Sequence, residues 1–88
     1  MKHRITLTTK PGILNIGDKV TLTKDPANEY DNESIRVMFN GVPQGYVSAF
    51  YKTRKPGTIS AGRLYDKIPA SIEAVVVDEG IAEVETEG

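Results

Sequence analysis

The stretch Gly17-Asp18-Lys19-Val20-Thr21-Leu22-Thr23-Lys24-Asp25-Pro26-Ala27-Asn28-Glu29-Tyr30-Asp31-Asn32-Glu33-Ser34-Ile35-Arg36-Val37 decides the fold. Lys19 to Thr23 alternates polar and apolar residues, which is the period of a strand with one face buried, so Val20 and Leu22 are expected to face the core. Ser34-Ile35-Arg36-Val37-Met38-Phe39 repeats the pattern with Ile35, Val37 and Phe39 on one face. Between them, Asp25 to Glu33 is rich in Pro, Asn and Asp, whose ring or side chains favour turns over strands or helices. Two strands joined by a rigid acidic loop are therefore the nucleus of a β-domain.

Working outward, the same alternation recurs. Ile5-Thr6-Leu7-Thr8 reads as a first strand broken by Lys10-Pro11-Gly12. Asn40-Gly41 is a strong two-residue hairpin signal. It leads into a return strand from Gln44 to Ser48, with Pro43 at its start, where a missing donor is tolerated. Residues 49–58 are irregular and basic. Ser60 is placed to cap a short helix over Ala61 to Ile68, stopped by Pro69. Ser71 to Val77 and Ile81 to Glu85 form a last hairpin across Asp78-Glu79-Gly80. The sum is an all-β chain of about six short strands with one or two short helices, expected to form a small, partly open β-barrel.

With 88 residues, the chain makes one domain, residues 1–88. It has no Cys, so disulfides and thiolate metal sites are excluded. No apolar run approaches the ~20 residues of a membrane-spanning helix. The basic start Met1-Lys2-His3-Arg4 is followed by a segment too short and polar for a signal peptide, so a cytoplasmic protein is expected. The net charge is −1, but five of the 12 acidic residues lie from Asp78 onward. The first 77 residues then hold eleven basic and seven acidic side chains, a formal charge of +4. Lys52, Arg54, Lys55 and Arg63 concentrate part of it. A basic body with an acidic end suits a short, directed stretch of phosphate backbone, and equally an ordinary solvated surface.

Catalysis finds little support. The one His, His3, lies near a chain end, and no acid–base constellation accompanies it. The segment Gly57-Thr58-Ile59-Ser60-Ala61-Gly62-Arg63-Leu64 has phosphate-loop spacing. However, it places Arg63 where Lys is required and Leu64 where a magnesium-binding hydroxyl is required. The amides at a helix start on Ser60, near Lys52, Arg54 and Lys55, offer a weaker phosphate site beside the plainer reading of a capped helix. A calcium loop starting at Asp25 fails because Tyr30 replaces the turn Gly and Arg36 the bidentate Glu. No cofactor or metal is expected.

The pair Tyr30-Asp31 carries the most specific chemistry. A ring stacks on a base and a carboxylate accepts strong hydrogen bonds from a hydroxyl. Tyr46 follows Gly45, which lets a ligand or a backbone approach closely. The residues alone leave a second reading open, in which Tyr30 plugs the barrel edge and Asp31 caps a turn with Asn32.

These residues resemble those of HIRAN domains, including free-standing bacterial-type members. The likeness runs from the first strand to about Val77. It rests on Gly17-Asp18, on Thr21 to Asp31, on Ile35-Arg36-Val37, on Gly45-Tyr46-Val47, and on Ser60 to Ile68. The resemblance implies an OB-like barrel and a non-catalytic module for single-stranded DNA. A helicase-fused member captures a free 3′-hydroxyl end. By that likeness Tyr30 would contact the terminal nucleotide and Asp31 would accept from the 3′-hydroxyl. Tyr46 would lie near the phosphate path, and Lys52, Arg54, Lys55 and Arg63 would meet the backbone. The end-binding relatives carry a Tyr-Tyr pair after the first strand, where this chain has Thr8-Thr9, hydroxyls suited to phosphate rather than rings suited to bases. The rival expectation is a protein-interaction or homo-oligomerising module that pairs through an exposed edge at the acidic last strand.

Overall fold

The computed structural model describes residues 1–87. Six strands and one short helix follow in the order β1 (Lys2–Thr9), β2 (Lys19–Asp25), β3 (Ser34–Phe39), β4 (Val42–Val47), α1 (Ala61–Tyr65), β5 (Ser71–Asp78) and β6 (Ile81–Glu85). All the strand pairs are antiparallel, and the sheet closes as β1-β4-β3-β2-β5-β6. The barrel is closed where the sequence suggested a partly open one.

Closure follows from two features. Strand β1 is longer than its apolar centre, and its last residues pair with β4 as Leu7 with Val47, Thr8 with Tyr46 and Thr9 with Gly45. Gly45, at φ 155°, lets this seam come together. A Cβ there would stand 2.3 Å from the Thr8 carbonyl oxygen. The close approach that Gly45 permits is therefore that of a neighbouring backbone. On the other side of β1, five residue pairs from Lys2–Glu85 to Thr6–Ile81 join it to β6. With β5 on its other flank, β6 is not an exposed edge, which removes the pairing route expected for self-association.

The inward face is that of the alternating apolar residues. Ile5, Leu7, Val20, Leu22, Ile35, Val37, Val47, Ala74, Val76, Ala82 and Val84 form one buried cluster. Helix α1 adds Ala61 and Leu64, and Ile68 follows just beyond it. Ser60 caps the helix by accepting the Arg63 amide on its hydroxyl at 3.3 Å. The helix ends at Tyr65 rather than Ile68. Asp66 is the C-cap, and Lys67 donates back to the Leu64 carbonyl in a tighter turn at 2.8 Å, which delivers Ile68 to the core before Pro69.

Turns obey local chemistry. Asn40 and Gly41 both have positive φ, 52° and 78°, the signature of a type I′ hairpin whose twist matches the strands it joins. The register of β3 with β4 shifts between Val37 and Met38, which puts a bulge near Gln44 beside the seam. Among the described residues, no helix is long and apolar enough to cross a membrane.

Candidate nucleic-acid interface

The loop from Pro26 to Glu33 is organised by one side chain. Asn28 Oδ1 accepts the amide of Tyr30 at 2.9 Å and that of Asp31 at 3.2 Å, while the Asn28 amide donates to the Asp25 carbonyl at 3.1 Å. An Asn that captures amides two and three residues on holds the chain in a fixed turn without help from the sheet. The Tyr30 ring is thrown outward and is 92 % exposed. It does not plug the barrel. Asp31 is half-buried, and its Oδ1 accepts the Glu33 amide at 2.9 Å. Asp31 thus serves its turn with one oxygen, while the other, Oδ2, has no hydrogen-bond partner among the described residues.

Tyr30 and Asp31 stand on a groove of about 550 Å³ whose walls include Thr8, Asn28, Ser34, Tyr46 and Phe50. Tyr46 lies on the outer face of β4 and is 39 % exposed. The chain segment after β4 supplies the far wall. There Thr53 donates its amide to the Phe50 carbonyl at 3.1 Å, and the Ser48 and Thr53 hydroxyls bond one another at 2.6 Å. This tight turn leaves Phe50 at 73 % exposure. Sequence reasoning did not select Phe50. Its one signal was an aromatic pair, Phe50-Tyr51, in an otherwise basic and irregular segment.

The threonine pair divides. Adjacent residues of a strand point to opposite faces, so Thr8 and Thr9 cannot act on one ligand together. Thr8 lines the groove, but its hydroxyl donates to the Tyr46 carbonyl at 2.8 Å. Thr9 lines a separate, smaller cavity of about 160 Å³ with Lys55. The Lys55 ammonium donates to the Glu79 carbonyl at 2.5 Å and so ties the basic segment to the β5–β6 turn. The Lys55 amide also donates to the buried Thr6 hydroxyl at 2.9 Å. Lys55 is a structural tie, away from the Tyr30 groove. Lys52, Arg54 and Arg63 are not among the groove's lining residues either. At the helix start, Ala61 gives its amide to the Ser48 carbonyl and Arg63 gives its amide to the Ser60 hydroxyl, which is the plainer reading of a capped helix.

The cation that the fold brings to Tyr30 is one that sequence reasoning passed over. Arg36 lies between inward-facing Ile35 and Val37, and it pairs across the ladder with Tyr46. Its Nη2 stands 3.0 Å from Asp25 Oδ2. The Asp25 charge foremost, and then the Tyr46 hydroxyl, raise the guanidinium pKa further above its already high value. Arg36 borders a polar hollow of about 420 Å³ shared with Asp25, Asn28, Glu29 and Tyr30. Tyr30 is thus a ridge with an apolar groove on one side and a charged hollow on the other.

Comparison with protein-family models, with curated proteins and with solved structures gave no match. What the fold and the site define is a closed six-stranded antiparallel barrel with a partly apolar external groove, lined by exposed aromatic rings and the Asp31 carboxylate.

Proposed function

We propose that this chain is a non-catalytic module that binds single-stranded nucleic acid, DNA in the first place, and prefers a free 3′-hydroxyl end. The observation that carries the reading is the pairing of an outward Tyr30 ring with an Asp31 carboxylate oxygen that its own loop does not use. An exposed ring is a poor investment for stability, but it offers a stacking surface worth about 1–3 kcal/mol per base. A carboxylate accepts a hydrogen bond from a terminal hydroxyl, and hydrogen bonds to charged groups contribute about 1.5–3 kcal/mol. The same carboxylate repels a terminal phosphate, so one residue supplies both attraction to the right end and exclusion of the wrong one.

The groove's volume falls within the ~300–1,000 Å³ range of small-ligand sites, which suits one or two nucleotides rather than a duplex. On the far side of Tyr30, Arg36, which also pairs with Asp25, would meet a phosphate that follows a stacked base. The sequence likeness to HIRAN domains adds to this reading. Pairing through an edge of β6 has lost its support, since β6 is flanked on both sides.

Fluorescence anisotropy with short labelled oligonucleotides that differ only at the 3′ terminus tests the proposal. A 3′-hydroxyl strand should bind more tightly than its 3′-phosphate counterpart. Equal affinity for the two ends would remove end capture, and no affinity for either would remove nucleic acid as the ligand.

A further inference from the structure

Four aliphatic hydroxyls line the groove: those of Thr8, Ser34, Ser48 and Thr53. Three are committed. Thr8 donates to the Tyr46 carbonyl, and Ser48 and Thr53 bond each other and the Phe50 carbonyl. Among the described residues, nothing hydrogen-bonds the hydroxyl of Ser34. Yet Ser34 is only 7 % exposed. It opens β3 on the same outward face as Arg36, because the inward positions are Ile35 and Val37. Its amide donates to the Asp31 carbonyl at 3.2 Å, so a single turn holds it with the carboxylate discussed above.

Among the described residues no fully buried side-chain oxygen is left without a partner, so the Ser34 hydroxyl keeps contact with solvent in the groove, where a ligand's polar group can take the place of water. The chemistry of the two groups differs. The open Asp31 oxygen is acceptor only, whereas a serine hydroxyl both donates and accepts. An acceptor beside a two-way hydroxyl complements a pair of neighbouring hydroxyls. A deoxyribose end brings one hydroxyl and satisfies only the carboxylate. A ribose end brings two, and the 2′-hydroxyl is the group by which a protein tells the two sugars apart.

We infer that the groove reads a 3′-terminal ribose through its 2′,3′-diol, with Asp31 accepting from the 3′-hydroxyl and Ser34 bonding the 2′-hydroxyl. The occupant is a single strand that ends in a ribonucleotide. This rests on the end-capture reading above and adds to it a preference that the carboxylate alone does not produce.

The test uses the full chain and one labelled oligodeoxynucleotide made with four final residues: a 2′-deoxynucleotide with a free 3′-hydroxyl, a ribonucleotide, a 2′-O-methyl nucleotide with a free 3′-hydroxyl, and a 2′-deoxynucleotide with a 3′-phosphate. The ribonucleotide end should bind about three- to tenfold more tightly than the deoxynucleotide and 2′-O-methyl ends, the gain of one hydrogen bond. Ser34→Ala should abolish that advantage while keeping the preference for 3′-hydroxyl over 3′-phosphate. Equal binding of ribo and deoxy ends by the natural chain would overturn the inference and leave end capture standing. So would a ribose advantage that survives in Ser34→Ala. A natural chain indifferent to the 3′-phosphate would overturn end capture and this inference with it. The ligand series needs no variant, so it decides the matter even if Ser34→Ala fails to fold.

Discussion

The Asn28 carboxamide oxygen accepts the Tyr30 amide at 2.9 Å, and the same oxygen accepts the next amide, that of Asp31. Both residues of the proposed contact are therefore held by a third, Asn28, which also lines the groove. Asn28→Ala removes this acceptor from a partly exposed loop. The cost in stability should be modest, about 0.5–1.5 kcal/mol by urea denaturation. The cost in oligonucleotide affinity should be larger, since a loose loop must be ordered on binding. Asn28→Asp keeps the acceptor and should keep most of the affinity. If the alanine variant bound as well as the natural chain, loop rigidity would not be part of recognition.

Tyr30 separates function from folding. Because its ring is almost wholly outside, Tyr30→Ala should change unfolding free energy by no more than about 0.5 kcal/mol. Loss of a stacked base should lower oligonucleotide affinity by about five- to a hundredfold. An unchanged dissociation constant by anisotropy, with the melting curve also unchanged, would show that the ring meets no base.

At the carboxylate the effect is one of selectivity. Asp31→Asn leaves a group of the same shape that retains an acceptor for the Glu33 amide, but it removes the negative charge. The ratio of 3′-hydroxyl to 3′-phosphate affinity should fall toward one, largely through improved binding of the phosphate end. A ratio that stays at its natural value in a paired titration would assign the end preference to some other residue.

Salt dependence distinguishes the cations. On single strands the log–log slope of affinity against salt is about −0.7 for each phosphate neutralised. Arg36→Gln should make that slope shallower by roughly this amount. Lys55→Met should leave it unchanged, because its ammonium is engaged by the Glu79 carbonyl on another part of the surface, and should instead lower thermal stability. The reverse pattern would place the phosphate path along residues 52–55.

Gly45 tests the barrel itself. A methyl group there meets the Thr8 carbonyl at a distance no relaxed contact allows, and the φ of 155° adds backbone strain. Gly45→Ala should destabilise the fold by about 1–3 kcal/mol, read as a lower urea midpoint. It should also reduce amide protection along the β1–β4 seam. A variant of natural stability would mean that the seam contributes little.

Much of the architecture was legible along the chain. The bounds of β3 and β6 match the runs Ser34 to Phe39 and Ile81 to Glu85, because a period of two with β-branched residues is a local signal that packing reinforces. Asn40-Gly41 and the Ser60 cap were likewise readable, since each satisfies its own backbone within a few residues. Tyr30 and Asp31 were selected for their chemistry, and the fold brings them to one groove. Thr8-Thr9 rests on the resemblance and Lys52, Arg54, Lys55 and Arg63 on local charge, and neither signal carries the information of which surface a side chain joins: Thr8 lines the groove, while Thr9 and Lys55 line another cavity. Alternation separates the threonines, and Lys55 is turned away to another carbonyl.

By itself, then, the order of residues determined the strands, their inward faces, the turns and the presence of a ring beside an acid, because each depends on side chains a few positions apart. Tertiary structure alone decided that the sheet closes through Gly45 and Thr8. It also decided that Arg36 rather than Lys55 is the cation at Tyr30, that Phe50 forms the groove's far wall, and that Ser34 lines the groove with a hydroxyl that no other described residue bonds. Those facts depend on segments that come from different parts of the chain. Which groups share a surface, and which are consumed by one another's hydrogen bonds, is set only when the strands are brought into register.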